Sequence, residues 1–372
     1  MEIGFTGDFF VNGRVKSLLS KDSWETHFYS LKDVFSKNDF NIFDLESPIT
    51  ISNTPIKKTG PNLKMNDDCL KLLRFLNCTH VATANNHFYD YGIQGIKDTY
   101  DYLHKAGIEW TGSGIDETDA RKGIILEKYG LSLGVVNICE NEWTTVPENI
   151  GGCNGLDLID NYKSIMNVKS RTDFFIVIFH GGHEHYNLPS LRIKKLMRHF
   201  VDLGAAAVVC HHTHVYSGFE VYNQSPIFYS LGNFLFDRES ERDTFWNYGI
   251  VLNLKFEKGK SVSYSYRFIE QNSHKAGAYL LSQNLQDVHS EIFLDLSKTI
   301  EDDTLLENNY NEFLKKQARL FDFWLNPYPS KLYFLYNKGF LPSLLNSNKR
   351  KLWANLVRCE SHRDVLQSVL KK

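Results

Sequence analysis

Ala205-Ala206-Ala207-Val208-Val209-Cys210-His211-His212-Thr213-His214 carries five small or branched apolar residues straight into a thiol and three imidazoles. A short apolar run without polar alternation marks a strand buried on both faces, which belongs to an α/β fold. The imidazoles then fall at the strand's C-terminal end, the edge at which open α/β sheets bind ligands. In an extended segment residues i and i+2 point the same way. The spacing therefore predicts that His212 and His214 share a metal site while His211 faces elsewhere.

The pattern repeats upstream. Residues 174–179 form a second apolar run, ending in His180-Gly181-Gly182-His183-Glu184-His185. His180 sits where the strand opens, and the two glycines permit close backbone approach or positive φ. His183 and Glu184 are candidates for substrate binding or for support behind the ligands, and His185 reads as a solvated loop residue. A third strand, 80–83, leads into Ala84-Asn85-Asn86-His87-Phe88-Tyr89-Asp90. Asn86 can offer an amide oxygen to a hard metal. His87 beside it is a candidate acid or electrostatic stabiliser of a leaving group, with Asp90 to orient its ring. Two carboxylates close earlier strands: Asp8 after Gly7, and Glu46 in Asp44-Leu45-Glu46-Ser47-Pro48, where Asp44 is a rival. Seven of the 14 histidines lie between His180 and His214. Carboxylates, imidazoles and an amide make a mixed N/O donor set, suited to one or two divalent ions of Mn, Fe or Zn rather than to a thiolate zinc site.

The rest of the chain sets the frame. Strands are expected at 3–6, 41–45 and 80–83, and helices at 67–76 and 92–106, the latter stopped by Gly107. Strands at 123–127, 131–138, 174–179, 206–210, 215–221, 227–230, 250–256 and 261–268 then imply a second sheet. From about residue 273 the pattern becomes helical and polar, so residues 1–272 read as the main domain and 273–372 as a helical C-terminal region. Its aromatics, among them Phe321, Phe323, Trp324, Tyr333, Phe334 and Tyr336, are expected to bury a helix face. The chain has 372 residues, with 42 Lys plus Arg against 44 Asp plus Glu. A net charge of -2 supplies no general pull on nucleic acid, so no nucleic-acid partner is expected and a nuclease is disfavoured. Six scattered cysteines without a C-x-x-C pair read as free core thiols in a reducing compartment. Neither a leader-like start nor a long apolar run is evident, so the expectation is a cytoplasmic protein with no membrane span.

Taken in order, these blocks resemble the CapA family, the poly-γ-glutamate capsule biosynthesis proteins within the calcineurin-like metallophosphoesterase superfamily. The blocks are Gly7-Asp8, Leu45-Glu46-Ser47-Pro48, Ala84-Asn85-Asn86-His87 with Asp90-Tyr91-Gly92, His180-Gly181-Gly182-His183-Glu184, and His211-His212-Thr213-His214-Val215. Tyr229-Ser230-Leu231-Gly232-Asn233-Phe234 with Phe236-Asp237 resembles the family's closing motif. The resemblance spans roughly residues 1–270. It implies a two-sheet α/β/β/α sandwich with a metal site at the sheet edge. Carried over by position, Asp8 and His214 would hold one metal, and Asn86, His180 and His212 the other, with Glu46 between them. His87, backed by Asp90, would protonate the leaving oxygen after attack by metal-bound hydroxide. His183, Glu184, His211 and Asn233 would bind substrate or shape the pocket, together with Asp237.

The implied function is a metal-dependent hydrolase of the phosphoesterase type, acting on an anionic small molecule or polymer in capsule or surface-polymer biosynthesis, with amide hydrolysis as a further option. Capsule-synthesis proteins would be its partners. One departure stands out: the wider superfamily opens Asp-x-His, whereas this chain has Asp8-Phe9-Phe10. That departure supports the alternative, a non-catalytic accessory protein that binds a polymer or a synthase.

Overall fold

In the computed structural model, residues 1–145 and 151–358 are described, together with His362, Leu366 and Leu370. Buried runs of branched and aromatic residues form the strands. In chain order these are β1 Glu2–Phe10, β2 Phe40–Leu45, β3 His80–Ala82, β4 Glu109–Thr111, β5 Ser113–Gly114, β6 Ile124–Lys128, β7 Leu131–Cys139 and β8 Gly152–Cys153. They continue with β9 Phe174–His180, β10 Ala207–His211, β11 Phe219–Tyr222, β12 Ser225–Phe228, β13 Asn233–Phe236, β14 Tyr248–Lys255, β15 Ser263–Gln271 and β16 Ala278–Leu280.

Eight strands make one sheet, in the order β16-β15-β14-β1-β2-β3-β4 with β13 also paired to β1. Six make the other, in the order β11-β12-β10-β9-β7-β6. β1 to β4 run parallel, as do β7, β9, β10 and β12, so each sheet gathers several C-terminal strand ends at one edge. The sheets face each other. Ile3, Phe5 and Ile42 of the first meet Val135, Ile176, Ile178 and Val209 of the second in a shared core. On the far side of the first sheet, Phe43, Leu45 and Val81 pack against helix residues such as Leu31, Phe35, Leu72 and Leu103. The second sheet is covered by helices Leu158–Lys169 and Leu191–Asp202. This is the α/β/β/α sandwich expected from the sequence.

Local chemistry sets the element ends. Helix Gly92–Ala106 stops at Gly107, whose φ of 71° suits glycine, and Ser190 caps helix Leu191–Asp202 by accepting from the Ile193 N–H. The strand expected at 215–221 begins only at Phe219. A Cβ on Gly218 would lie 2.5 Å from the Ser297 backbone nitrogen, so residues before the strand serve as the seat of helix Gln283–Glu301. β13 was not anticipated as a strand, because its four residues sit inside the closing motif.

The chain divides into two compact units, Met1–Leu306 and Glu307–Lys372. The first contains both sheets and helix Gln283–Glu301, whose Phe293 stacks on Phe219 with ring centroids 5.2 Å apart. In the second, Phe323 and Tyr336 are buried and their centroids lie 5.4 Å apart, as expected. Phe321, Trp324 and Phe334, expected to be packed, are instead 55%, 61% and 65% exposed, because they lie on the outer sides of their helices. No helix among the described residues is long and apolar enough to cross a membrane. Cys69, Cys78, Cys139, Cys153 and Cys210 are free and buried, while Cys359 lies outside the described residues.

Candidate metal centre

β1 changes face before it delivers Asp8. Ile3 and Phe5 pack between the sheets, whereas Phe9, of the same parity, packs on the outer face. The register with β2 shifts between Phe5 and Asp8, and that irregularity re-aims the side chains that follow. Gly7 makes the turn of the backbone feasible: a Cβ there would sit 1.9 Å from the Gly232 carbonyl oxygen, which accepts from the Asp8 N–H at 3.0 Å. Asp8 then lies opposite Asp44 on β2 and Asn233 on β13.

The two sheets bring their ligand-type residues to this point. His180 and His211 end β9 and β10 at the same level of the ladder. Asp8 Oδ2 is 3.1 Å from His214 Nδ1, and Asp8 Oδ1 is 3.5 Å from His211 Nδ1. Glu46 Oε1 is 3.6 Å from His214 Nε2. His180 places Nδ1 3.1 Å from Asp44 Oδ2 and Nε2 3.2 Å from Asn86 Oδ1, and its ring lies 4.9 Å from that of His212. One donor atom each from Asp8, Glu46 and His214 falls within a 4.8 Å spread, and the same holds for Asp8, Asp44 and His180. Either set could hold a metal ion.

The geometry of the His-x-His segment differs from the extended one assumed. β10 ends at His211, and His212 and His214 take φ of 94° and 59°. The chain curls back on itself, so the two rings approach the cluster through left-handed turns rather than by strand alternation. His211, expected to face elsewhere, is buried against Asp8 instead.

The Asn86-His87 loop is pinned from both sheets. Asn137 of β7 accepts through Oδ1 from the Thr83 and Ala84 N–H groups at 2.9 and 2.7 Å. Asn85 donates to the Leu45 carbonyl and accepts from the His87 N–H. His87 Nδ1 lies 2.8 Å from Asp90 Oδ2, and Lys58 forms an ion pair with Asp90 Oδ1. Both of these supporting groups are buried.

Charge is crowded here. Burial works to raise the pKa of Asp8, yet the close imidazoles of His211 and His214 outweigh it and hold the carboxyl well below its ordinary range. Glu46 has no such help: burial first, then repulsion from Asp8, Asp44, Glu184 and Asp90, raise its pKa well above the usual value. Burial, reinforced by His180 and His214, pushes His212 well down. His214 moves up, because Asp8 overcomes the effect of burial. Both Glu46 oxygens, Asp44 Oδ1 and His212 Nδ1 are buried without a hydrogen-bond partner among the described residues. Buried polar atoms are normally satisfied, and three buried carboxylates beside imidazoles match the donor chemistry of a divalent cation.

The remaining sequence candidates divide. Asn233 is buried and holds His214, with Oδ1 3.0 Å from Nδ1 and Nδ2 donating to the His214 carbonyl. Asp237 is engaged by Arg14. His183 is half-buried and Glu184 exposed, and Glu184 acts on Glu46 and His214 through its charge. Sequence reasoning missed Lys58, Asn137 and Glu142, whose Oε1 is 3.9 Å from His212 Nε2. None of the three stands in a motif, although Asn137 could have been noticed as a lone amide in an apolar strand.

A sequence profile of the family described as bacterial capsule synthesis protein PGA_cap matches residues 2–238. The PGA biosynthesis protein CapA of Bacillus subtilis (strain 168) is 31% identical over 242 residues, covering 64% of this chain and 64% of that protein. The capsule biosynthesis protein CapA of Bacillus anthracis is 28% identical over 241 residues, covering 62% and 59%. This chain thus spans less than two thirds of the length of either relative. A solved structure described as a novel phosphatase of Mycoplasma pneumoniae aligns with a TM-score of 0.46 and 12% identity, over 73% of this chain and 93% of that one.

Proposed function

The chain belongs to the bacterial capsule synthesis protein family PGA_cap, and from that membership and the site geometry we propose that it is a metal-dependent hydrolase of the phosphoesterase type, working in capsule or surface-polymer biosynthesis. The observation that carries this reading is Glu46, whose two buried oxygens lack any hydrogen-bond partner among the described residues and adjoin Asp8 and His214. Asp8, Glu46 and His214 would hold one cation, and Asn86, His180 and His212 a second beside Glu46. Asp44 takes the Nδ1 side of His180 and so leaves Nε2 for a metal, the usual division of labour between a ligand imidazole and its supporting carboxylate. A divalent cation bound here supplies Lewis acidity and lowers the pKa of water.

The chain's own residues do the rest. His87, tied at Nδ1 to Asp90, keeps Nε2 for proton transfer to the leaving oxygen. Asn233 fixes the His214 ring, and Asn137 fixes the loop that carries Asn86 and His87. Glu184 and His183 stand at the rim as substrate contacts, the substrate being an anionic small molecule or polymer. A second reading, an accessory protein that binds a polymer or synthase without catalysis, draws on Phe10. That side chain is buried with its ring 4.9 Å from Phe236 and supplies no imidazole where the wider superfamily has one.

The test is metal content of the purified protein together with Mn-dependent cleavage of p-nitrophenyl phosphate and bis-p-nitrophenyl phosphate. Bound metal with turnover supports the hydrolase. A protein that binds no metal and turns over neither substrate after reconstitution belongs to the accessory reading.

A further inference from the structure

The near-zero total charge hides a division. Residues 307–372, the second compact unit, hold 12 Lys or Arg against five Asp or Glu, a net charge of +7, which leaves -9 for residues 1–306. Helix Ser347–Arg358 concentrates that excess: Lys349, Arg350 and Lys351 crowd its N-terminal end, and no acidic residue occurs in it. The helix macrodipole is positive at that end and disfavours cations there, so they do not serve the helix itself. Leu352, Trp353, Leu356 and Val357 follow at i, i+1, i+4 and i+5, one continuous stripe. Such a stripe normally seats its helix in a core. Here Leu352 and Val357 are 50% and 56% exposed, and Trp353 and Leu356 are only half-buried. The adjoining helix, Tyr333–Asn337, repeats the combination of cation and exposed apolar side chain. Asp322 binds both the Tyr336 hydroxyl and Arg350, the latter at 2.5 Å, and so ties the two helices together. Phe334 is exposed with the Lys338 ammonium 5.8 Å from its ring centroid, and Phe340 just beyond is 73% exposed.

We propose that residues 307–372 carry a docking surface for an anionic phospholipid bilayer, on which helix Ser347–Arg358 lies flat without spanning. Lys349 and Lys351 are exposed and have no ion pair among the described residues, so their charge is free to meet lipid headgroups. The stripe from Leu352 to Val357 enters the boundary between headgroups and acyl chains, where a basic amphipathic helix is held by both effects at once. Charge and apolar exposure together select this occupant. An acidic polymer or a nucleic acid would take up the cations but leave Leu352, Val357 and Phe340 in water. An apolar protein groove would cover the stripe and leave the cations uncompensated. The acidic residues 1–306 gain nothing from an anionic surface, so attachment belongs to residues 307–372. The inference holds whether or not the metal centre turns over a substrate.

The experiment is co-sedimentation of the full chain with vesicles of phosphatidylcholine alone and of phosphatidylcholine with phosphatidylglycerol. Binding is expected on the anionic vesicles, weakening as salt is raised, and not on the neutral ones. Lys349→Ser combined with Lys351→Ser should weaken it about 30-fold, the worth of two lysines at an anionic surface. Leu352→Ser combined with Val357→Ser should weaken it about tenfold or more although no charge changes. Binding to neither vesicle, or equally to both, overturns the proposal, and so does undiminished affinity in either double variant. Soluble poly-L-glutamate or duplex DNA that strips the protein from anionic vesicles at equal charge concentration would mark a general polyanion site and overturn it as well. All four substituted side chains are exposed, and circular dichroism verifies that each variant keeps the wild-type melting transition. If the Leu352→Ser, Val357→Ser chain does not fold, the lysine variant and the salt dependence decide the matter.

Discussion

Glu46 ionises against its surroundings. Its pKa in the folded chain is raised above the ordinary 4.5, so its favourable contribution is present below that value and is lost as pH rises through the folded pKa. Ionising Glu46 therefore works against the fold of the metal-free protein. Glu46→Gln should raise the melting temperature of EDTA-treated protein while lowering bound metal. Calorimetry with and without EDTA checks both halves, and an unchanged or lowered melting temperature in EDTA would contradict the assignment. His87 gives a second expectation. Burial, aided by the Lys58 charge, outweighs Asp90 and lowers its pKa below 6.5. The proton-donating form is lost as pH rises through that lowered value, so kcat should climb as pH falls below about 6.5. His87→Ala should remove this limb and cost about 10²–10⁴-fold in kcat with metal retained. Loss of the metal would instead make His87 a ligand. Asp8, Glu46, Asn86, His180 and His214 were legible as candidates because each stands at or just beyond the end of an apolar run. Lys58 was not: 29 positions separate it from His87, and nothing local distinguishes it from a solvated lysine.

At the scale of elements, the site depends on how closely strands approach. Gly7→Ala would drive a Cβ to 1.9 Å from a backbone oxygen of Gly232, which no rotamer change can relieve. The expected result is a loss of about 1–3 kcal/mol in urea unfolding, with weaker metal binding although glycine offers no donor atom. Wild-type metal affinity in that variant would mean that the β1 irregularity does not aim Asp8. Apolar runs made most strands legible, since burial on both faces leaves a continuous hydrophobic signature. The turn that carries His212 and His214 was misread as extended, because positive φ at a non-glycine residue is imposed by tertiary contacts and leaves no local trace. Which strand end meets which was likewise hidden, being a property of sheet order.

For the molecule as a whole, the helix after the sheets belongs to the folded core of the first unit. Phe293 and Ile300 are fully buried, and Phe293 also stacks on Phe228. A chain ended after Asn272 should lose at least about 3 kcal/mol, whereas one ended after Leu306 should keep the unfolding transition and the bound metal of the full chain. Equal stability of the two truncations would show that Phe293 packs without consequence. The sandwich also scatters its donors along the chain: Asp8 and His212 are 204 positions apart yet share a hydrogen bond. At roughly 5–20 residues per second of synthesis, Asp8 waits about 10–40 s on the ribosome before His212 is made. Until His180 at the end of β9 is made, the nascent chain carries acidic donors but no imidazole from the second sheet, and the full set waits for His212 and His214. On the proposed ligand assignment no cation can be held by the whole donor set until His214 has been made, so the site is filled late in synthesis or after it, once strands of both sheets are present.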